Sequence, residues 1–469
     1  MRSLAAITKS NDLRGAVPQD WGPEEAQALG GAIAHAFMEA PAVLVGHDMR
    51  ISGPEMAAAL IEGLTNAGKD VIDIGQVSTD TMYYASGSRG LPGAMLTASH
   101  NPAGDNGLKL MRAGAKPVGR DAGLGEIVSH AEQAGPPPAT GAKGGVSRLD
   151  ILPEFARYLR EQVDLTTIRP LKVVIDAGNG MGGVVADAVL GQAAGLPALP
   201  VTIVPLYFEP DGTFPHHPAN PLDPANLVDL QEAVRDQQAD LGLAFDGDAD
   251  RCFVVDETGQ VVNPSVIGTA IALRQIGQEL AAGRHPVVVH NAITSKALPE
   301  LAEAAGAATL RTPVGHALIK PVMAQHDAVF GAEHSGHYYF RGFFYADTGI
   351  LSAMHVLAAV GEGRHSLSAL GEVYGPYYAS GEINFRVKDP AVSIQQVATA
   401  FADDAARGTV RLDTLDGLTV DHWDAVPRWW ANVRASNTEP LLRLNVEAAD
   451  EDVVVKVRDG IAQIVDEGL

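Results

Sequence analysis

The sequence predicts an α/β protein of several domains, three of them related, with a smaller α+β unit at the C-terminus. Three observations predict it. A chain of 469 residues is too long for one hydrophobic core and calls for three or four domains. Short apolar runs bounded by glycine or polar loops alternate with longer Ala/Leu-rich stretches, and this strand–helix–strand order occurs three times. From residue 371 onward the alternation changes, and strands and helices no longer follow in strict succession.

The first unit opens with a strand over 42–45, a loop carrying His47, Asp48 and Arg50, and a helix over 54–67. A strand over 71–74, a further helical stretch and a strand over 94–96 lead to Thr97-Ala98-Ser99-His100-Asn101-Pro102. In the second unit a strand over 173–175 runs into Asp176-Ala177-Gly178-Asn179-Gly180, followed by a helix over 183–194 and a strand over 201–206. A helix over 227–237 and a strand over 241–245 then deliver Asp246-Gly247-Asp248-Ala249-Asp250-Arg251. The third unit reads as a strand over 287–289 ending at His290-Asn291, a helix over 296–305, a strand over 309–311 and a helix over 316–325. Its last strand, over 328–330, leads to Glu333-His334-Ser335-Gly336-His337.

Each time, the chemically loaded loop follows the third strand. Ligands in open α/β sheets collect beyond the carboxyl ends of strands, so three such ends facing one another form a single cleft. The Pro/Gly-rich stretch 135–145 closes the first unit, and the glycines of 361–377 mark the end of the third. Beyond them, strands are expected over 383–387, 410–412, 431–433 and 441–446, with helices over 394–406 and 453–465.

A net charge of −23 argues against a nucleic-acid-binding role, because no basic surplus exists to displace counterions. An anionic ligand must instead be held by locally placed Arg, Lys and backbone N–H groups. The single cysteine, Cys252, excludes an internal disulfide and fits a reducing compartment. It opens the apolar run Cys252-Phe253-Val254-Val255 and reads as a buried strand position. The first residues lack an apolar core of signal-peptide length, and no stretch reaches the length of a membrane span. The expected location is the cytoplasm, with no membrane partner.

Ser99 lies in a loop too polar for a core strand. A serine can carry a phosphoryl group where its loop is fixed and a cation neutralises the charge. Taken alone, a helix cap or turn serine is an equal reading. The turn expected at Asn106-Gly107-Leu108-Lys109 brings a lysine back to this loop and favours chemistry. Asp246, Asp248 and Asp250 alternate directly after an apolar strand, so their carboxylates project to one side. Three carboxylates so close repel unless a cation joins them, and oxygen ligands suit Mg²⁺. Glu257 falls at the twelfth position of a calcium-type loop, but Arg251 stands where that loop needs glycine, which excludes it. A solvated acidic turn is the remaining alternative. Glu333, Ser335 and His337 alternate as well, offering a carboxylate for hydroxyls and an imidazole for protons. Arg434, Ser436, Asn437 and Thr438 make up the inventory of a phosphate site, with Arg443 as a second charge, although an ordinary polar turn fits equally. His316 opens a helix on the cleft side of its unit.

These loops, in this order, resemble those of the α-D-phosphohexomutases, in particular the phosphomannomutase/phosphoglucomutase branch. Asp12-Leu13-Arg14-Gly15 and Gly315-His316 extend the resemblance over the whole chain. It implies four domains around a central cleft: three related α/β domains with mixed sheets plus a smaller C-terminal α+β domain. The boundaries fall near 1–148, 149–258, 259–370 and 371–469. It further implies a resting enzyme phosphorylated on Ser99, with one Mg²⁺ held by Asp246, Asp248, Asp250 and a phosphoserine oxygen. The phosphoryl group would pass to a free hydroxyl of a hexose phosphate, with a hexose 1,6-bisphosphate as intermediate and activator.

Under the same resemblance, Arg251 offsets charge in transfer, Lys109, Arg14 and His100 steady or protonate oxygens, and His337 relays protons. Glu333 and Ser335 read the sugar's 3- and 4-hydroxyls, and His316 touches substrate. Arg434, Ser436, Asn437, Thr438 and Arg443 grip the non-reacting phosphate. Two departures stand out. Asn11 occupies a position where a tyrosine is often found, and the lysine that some relatives carry in the loop 290–295 is absent, with Lys296 nearby. The expected partner is a small sugar phosphate, and a monomer and a homodimer remain equally open. A phosphoglucosamine mutase is the nearest alternative. A non-catalytic sugar-phosphate-binding protein is opposed by the intact Ser99 and the three aspartates.

Overall fold

A computed structural model of the chain describes residues 1–139, 141–363, 365–436 and 441–466, with the backbone alone described at Asp121, His316 and Asp466. Three of its four sheets share one strand order. In the first, Ala42–His47 lies between Asp70–Gln76 and Gly93–Leu96, all parallel, and Asp105–Arg112 returns antiparallel beside Gly93–Leu96. In the second, Leu171–Asp176 lies between Val201–Leu206 and Leu241–Phe245, with Cys252–Asp256 antiparallel. In the third, Val287–Asn291 lies between Ala308–Thr312 and Phe330–Ala332, with Tyr338–Phe340 antiparallel.

The loops rich in polar residues are therefore hairpin bends between a third strand and an antiparallel fourth. A hairpin, unlike a crossover, keeps its bend tight against the strand end it leaves. It also makes each sheet mixed. Of the three fourth strands, the one at Cys252–Asp256 was legible beforehand. The one at Asp105–Arg112 corrects the turn expected at Lys109. Leu108, Leu110 and Met111 are buried against Gly93–Leu96, so Asn106-Gly107 begins a strand instead of reversing the chain, and Lys109 stands opposite Met95. On the other edge of that strand, Leu13–Ala16 pairs antiparallel and sets Arg14 opposite Gly107.

Other boundaries move as well: the strand expected over 383–387 runs from Tyr378 to Phe385, and the helix expected over 394–406 is two, Pro390–Ala400 and Ala402–Ala406. The helix expected to reach Ala194 stops at Val189, ahead of Gly191 and Gly195, which are poor helix residues. The strand expected over 328–330 runs from Phe330 to Ala332. Within 361–377 a helix forms, Leu367–Tyr374, capped by the Ser366 hydroxyl. The helix Gly349–Glu362 escaped the sequence reading because it is apolar on nearly every face and buried, which erases the 3.6-residue period.

The C-terminal sheet is wholly antiparallel, in the order Tyr378–Phe385, Leu442–Ala448, Trp429–Ala435, Leu418–Asp421, Arg411–Asp413. Its core is its own, with Val397, Val433, Leu444 and Ile461 buried together. By contrast, Tyr84, Phe155, Phe245, Phe343 and Ile350 belong to one continuous core that joins the first three sheets. The C-terminal unit meets the third sheet through a small apolar cluster of Ile293, Trp423 and Trp430, ringed by polar contacts. Lys296 Nζ lies 2.9 Å from Asp421 Oδ2, while Trp423 Nε1 and Arg428 Nη2 both donate to Glu300 Oε1, at 2.7 and 2.8 Å. Lys296 is thus committed to Asp421.

Glu447 sits at the centre of this contact. Its Oε1 accepts from the Ser295 hydroxyl at 3.1 Å and the Lys296 N–H at 3.2 Å. Burial pushes its carboxyl up from 4.5 to about 7, although both donors favour the anion. The folded form therefore binds the proton more tightly than the unfolded chain, and this contribution to stability is lost as pH rises from about 5 through about 7. Melting curves across that range should fall less steeply for Glu447→Gln than for the wild type. Parallel curves would contradict the assignment.

Candidate active site

Three hairpin bends converge on Ser99. Its backbone has φ of +49°, and its side chain is buried at the junction of the first and second sheets. A left-handed serine is uncommon and persists only where its surroundings hold it. Arg50 does the holding. Its guanidinium donates to four carbonyl oxygens of the bend, those of Ser99, Asn101, Pro102 and Asp105, at 2.7–2.8 Å. From the second domain, Phe214 stacks on this guanidinium at 5.5 Å, and Asp48 supplies its counter-charge.

The Ser99 hydroxyl donates to Asp246 Oδ2 at 2.8 Å and lies 3.1 Å from His100 Nδ1. Arg251 binds the same Asp246 oxygen through Nε at 2.8 Å and approaches His100 Nδ1 at 2.6 Å. A guanidinium can only donate, so His100 Nδ1 is an acceptor and the ring is neutral. Burial and then the Arg251 charge agree with this, holding the His100 pKa well below its ordinary value. Arg14 closes the other side, bonded to Asp12 at 2.9 Å and to Asn101 Oδ1 at 3.0 Å.

The aspartates alternate as expected and are all buried. Asp246, Asp248 and Asp250 each offer an oxygen to a common point, the ligand atoms lying within 4.8 Å of one another. Lys109 bridges two of them, 2.6 Å from Asp248 Oδ2 and 2.7 Å from Asp250 Oδ2. Burial works against the Lys109 charge, but these carboxylates outweigh it and hold its pKa well above the ordinary value. Burial likewise raises Asp246 against the pull of Arg251. For Asp248 burial is overcome by Lys109, and its pKa falls far below the usual range. The other oxygens, Asp248 Oδ1 and Asp250 Oδ1, are buried without a hydrogen-bond partner among the described residues. Orphaned carboxylate oxygens at this spacing are the donor set of a hard cation.

His337 joins from the third bend, its Nδ1 2.8 Å from Asp347 Oδ2 and 3.7 Å from Asp250 Oδ1. Burial opposes its charge, yet Asp250 and Asp347 together raise its pKa. Gly336 has φ of +85°, and a Cβ there would stand 2.9 Å from the Phe253 ring, so the close approach of these two bends requires glycine. Glu333 faces protein rather than open cleft. Its oxygens accept from Gly315 N–H at 2.9 Å, Asn291 at 3.3 Å and the Tyr339 hydroxyl at 2.5 Å. Ser335 is half-buried. His316 begins the helix His316–Gln325, tied to Glu333 through Gly315, and its side chain lies outside the described residues.

In the C-terminal sheet, Arg434 and Arg443 are direct cross-strand partners, and both reach Glu382. Ser436 continues from that strand, with its N–H donating to Leu441 O at 2.8 Å. Asn437 and Thr438 lie outside the described residues. Sequence reasoning gave no role to Arg50, to Thr79, whose hydroxyl donates to Asp248 at 2.6 Å, or to Asp347 and Lys320 behind His337. The partners of Arg50 and Thr79 lie in distant segments, and Arg50 alone offered a signal, as an arginine in a strand-end loop.

Sequence models of four domain families match the chain in order. They are phosphoglucomutase/phosphomannomutase alpha/beta/alpha domain I over residues 5–135, domain II over 153–259, domain III over 265–377 and the C-terminal domain over 382–464. The chain belongs to the phosphoglucomutase/phosphomannomutase family. It is 36% identical over 455 residues to a phosphomannomutase of Salmonella typhimurium, covering 96% of each chain. It is also 36% identical over 460 residues to a protein of Xanthomonas campestris named phosphohexose mutases, again covering 96% of each. A solved structure of a family protein from Burkholderia thailandensis superposes with a TM-score of 0.83 at 27% identity, covering 100% of this chain and 98% of that one.

In this family member the first and second bends touch backbone to backbone, because a Cβ on Gly247 would stand 2.4 Å from the Ser99 carbonyl oxygen. Gly247→Ala should cost about 1–3 kcal/mol in chemical denaturation, the usual penalty of overpacking. Gly104→Ala, whose Cβ would meet nothing within 4 Å, is the control and should leave stability unchanged. Equal behaviour of the two variants would refute the contact.

Proposed function

We propose that this protein is a phosphohexose mutase that moves a phosphoryl group between the 6- and 1-positions of a hexose phosphate. Mannose is the first substrate and glucose the second, and a hexose 1,6-bisphosphate is both intermediate and activator. The observation that carries this reading is Ser99 itself. A capping or turn serine needs no carboxylate and imidazole at hydrogen-bond distance with a guanidinium bound to both of them, whereas a serine that carries a phosphoryl group does. The names of the relatives favour mannose over glucosamine.

In the first half-reaction the free hydroxyl oxygen of the hexose phosphate attacks phosphorus on Ser99. The new P–O bond forms as the bond to Ser99 Oγ breaks. The attacking hydroxyl gives its proton to His337. The leaving Ser99 Oγ takes one from Lys109, protonated beside Asp248 and Asp250, which regains it when Ser99 attacks in the second half-reaction. The second half-reaction is the reverse, from the other phosphate of the bisphosphate, so no net proton is consumed. Arg251, which binds Asp246 and approaches His100, offsets charge on the phosphoryl group in flight, and Lys109 neutralises two of the aspartates. Mg²⁺ on Asp246, Asp248, Asp250 and a phosphoserine oxygen would supply further charge neutralisation, and the two orphaned oxygens suit it.

Arg434, Ser436, Asn437, Thr438 and Arg443 would hold the non-reacting phosphate, while Ser335, His316 and Glu333 would read the sugar. For Glu333 this requires release from Gly315 or Tyr339, since both its oxygens accept from these protein donors. The single cysteine, Cys252, leaves no internal disulfide to form and fits a reducing compartment such as the cytoplasm. Among the described residues no helix is long and apolar enough to cross a membrane.

Side-by-side kcat/KM values for mannose, glucose and glucosamine phosphates test the substrate assignment, and mannose should lead. Ser99→Ala should lose mutase activity by at least about a thousandfold, some 4 kcal/mol of barrier, while keeping the wild-type melting curve. Residual activity within about tenfold of wild type would remove Ser99 from the mechanism.

A further inference from the structure

Two guanidinium groups stand side by side on the polar face of the C-terminal sheet. Arg434 and Arg443 lie directly opposite each other on paired strands. Like charges in that position destabilise a sheet unless something answers them. Glu382 answers both. Its Oε2 accepts from Arg434 Nη2 at 2.8 Å, and its Oε1 lies 3.0 Å from Arg443 Nη1, one oxygen for each arginine.

A local irregularity delivers this carboxylate. The register of Tyr378–Phe385 against Leu442–Ala448 shifts between Ala379 and Glu382, where Gly381 has φ of +69°. The two partners differ in their freedom. The Arg434 side chain is 4% exposed and that of Glu382 is 29% exposed, so the carboxylate is the member with a route into water. The pair also faces the neighbouring domain, where burial lowers the pKa of His334 while Glu382 and Arg434 act on it in opposite senses.

Resting on the reading that Arg434 and Arg443 grip the non-reacting phosphate, we propose that Glu382 is an internal counter-ion occupying these arginines while the cleft is empty. A carboxylate and a phosphate both present pairs of anionic oxygens to a guanidinium, so the two ligands compete for the same N–H groups. Binding of the sugar phosphate displaces Glu382 towards solvent, and departure of the phosphate restores it. Glu382 thereby keeps both arginines oriented and neutralised in the empty enzyme. It also lowers their affinity for phosphate. That serves a mutase whose bisphosphate must leave this grip, turn and be gripped again by its other end.

Calorimetric titration of the full-length protein with inorganic phosphate alone tests the proposal. Glu382→Gln keeps the shape and removes the charge, and it should bind phosphate about tenfold more tightly than wild type, the worth of one charge-assisted contact. The KM for the hexose phosphate should fall in parallel. Equal or weaker phosphate binding by Glu382→Gln would overturn the proposal. Should that variant fail to fold, Glu382→Asp, which shortens the reach to the arginines, should show a smaller tightening, and unchanged affinity there would overturn it too. Arg434→Gln separates this idea from the site reading beneath it. Loss of phosphate binding in Arg434→Gln upholds that reading, whereas wild-type affinity would sink the phosphate site and the counter-ion together.

Discussion

Three carboxylates buried within one five-residue span repel one another, and the rest of this structure is arranged to answer them. The hydrogen-bond donors that answer them come from different parts of the chain. Lys109 reaches over from the first domain, Arg251 from the same bend, and His337 from the third domain with Asp347 and Lys320 behind it. An isolated second domain would leave Asp248 without Lys109 and Thr79, and breaking a buried pair typically costs about 3–5 kcal/mol. The compensation therefore draws the first three domains together at the cleft, and their shared apolar core extends the same junction inward. A site that needs charges from three domains is also the contact that fixes how those domains sit.

The repeated strand order explains how such a site is assembled. In each unit the third strand turns back at once into an antiparallel fourth, so the bend between them is short and stays at the sheet's carboxyl edge. One bend bears the hydroxyl, one the carboxylates, and one the imidazole. Arg50 and Phe214 then bind the first bend to the second domain from below, which keeps Ser99 in its left-handed conformation.

Much of this was legible in the sequence, for identifiable reasons. The strands at 201–206 and 241–245 and the helix at 316–325 were read to the residue because apolar runs there are short and sharply bounded. Ser99, the three aspartates and His337 were legible because loops after third strands carry ligands. What escaped was set by distance or uniform burial. Nothing local tells that Lys109 lies in a strand and meets Asp248, 139 residues away, or that Thr79 meets the same carboxylate from 169 residues away. The Gly349–Glu362 helix has no polar face to betray its period. Glu333 was read as open to a ligand, but Gly315 and Tyr339 hold it, a fact that belongs to packing. The C-terminal unit, with its own core and a largely polar contact to the third domain, is the part least bound to the remainder.

The central claim is that Ser99 carries the phosphoryl group between the two halves of the reaction. Peptide mass spectrometry after incubation with a hexose 1,6-bisphosphate, followed by removal of the small molecule, tests it most directly. The account predicts one phosphate per chain, located on Ser99, which disappears on addition of unlabelled hexose monophosphate and reappears in the bisphosphate. A phosphate on any other residue, or turnover with Ser99 never phosphorylated, would contradict it.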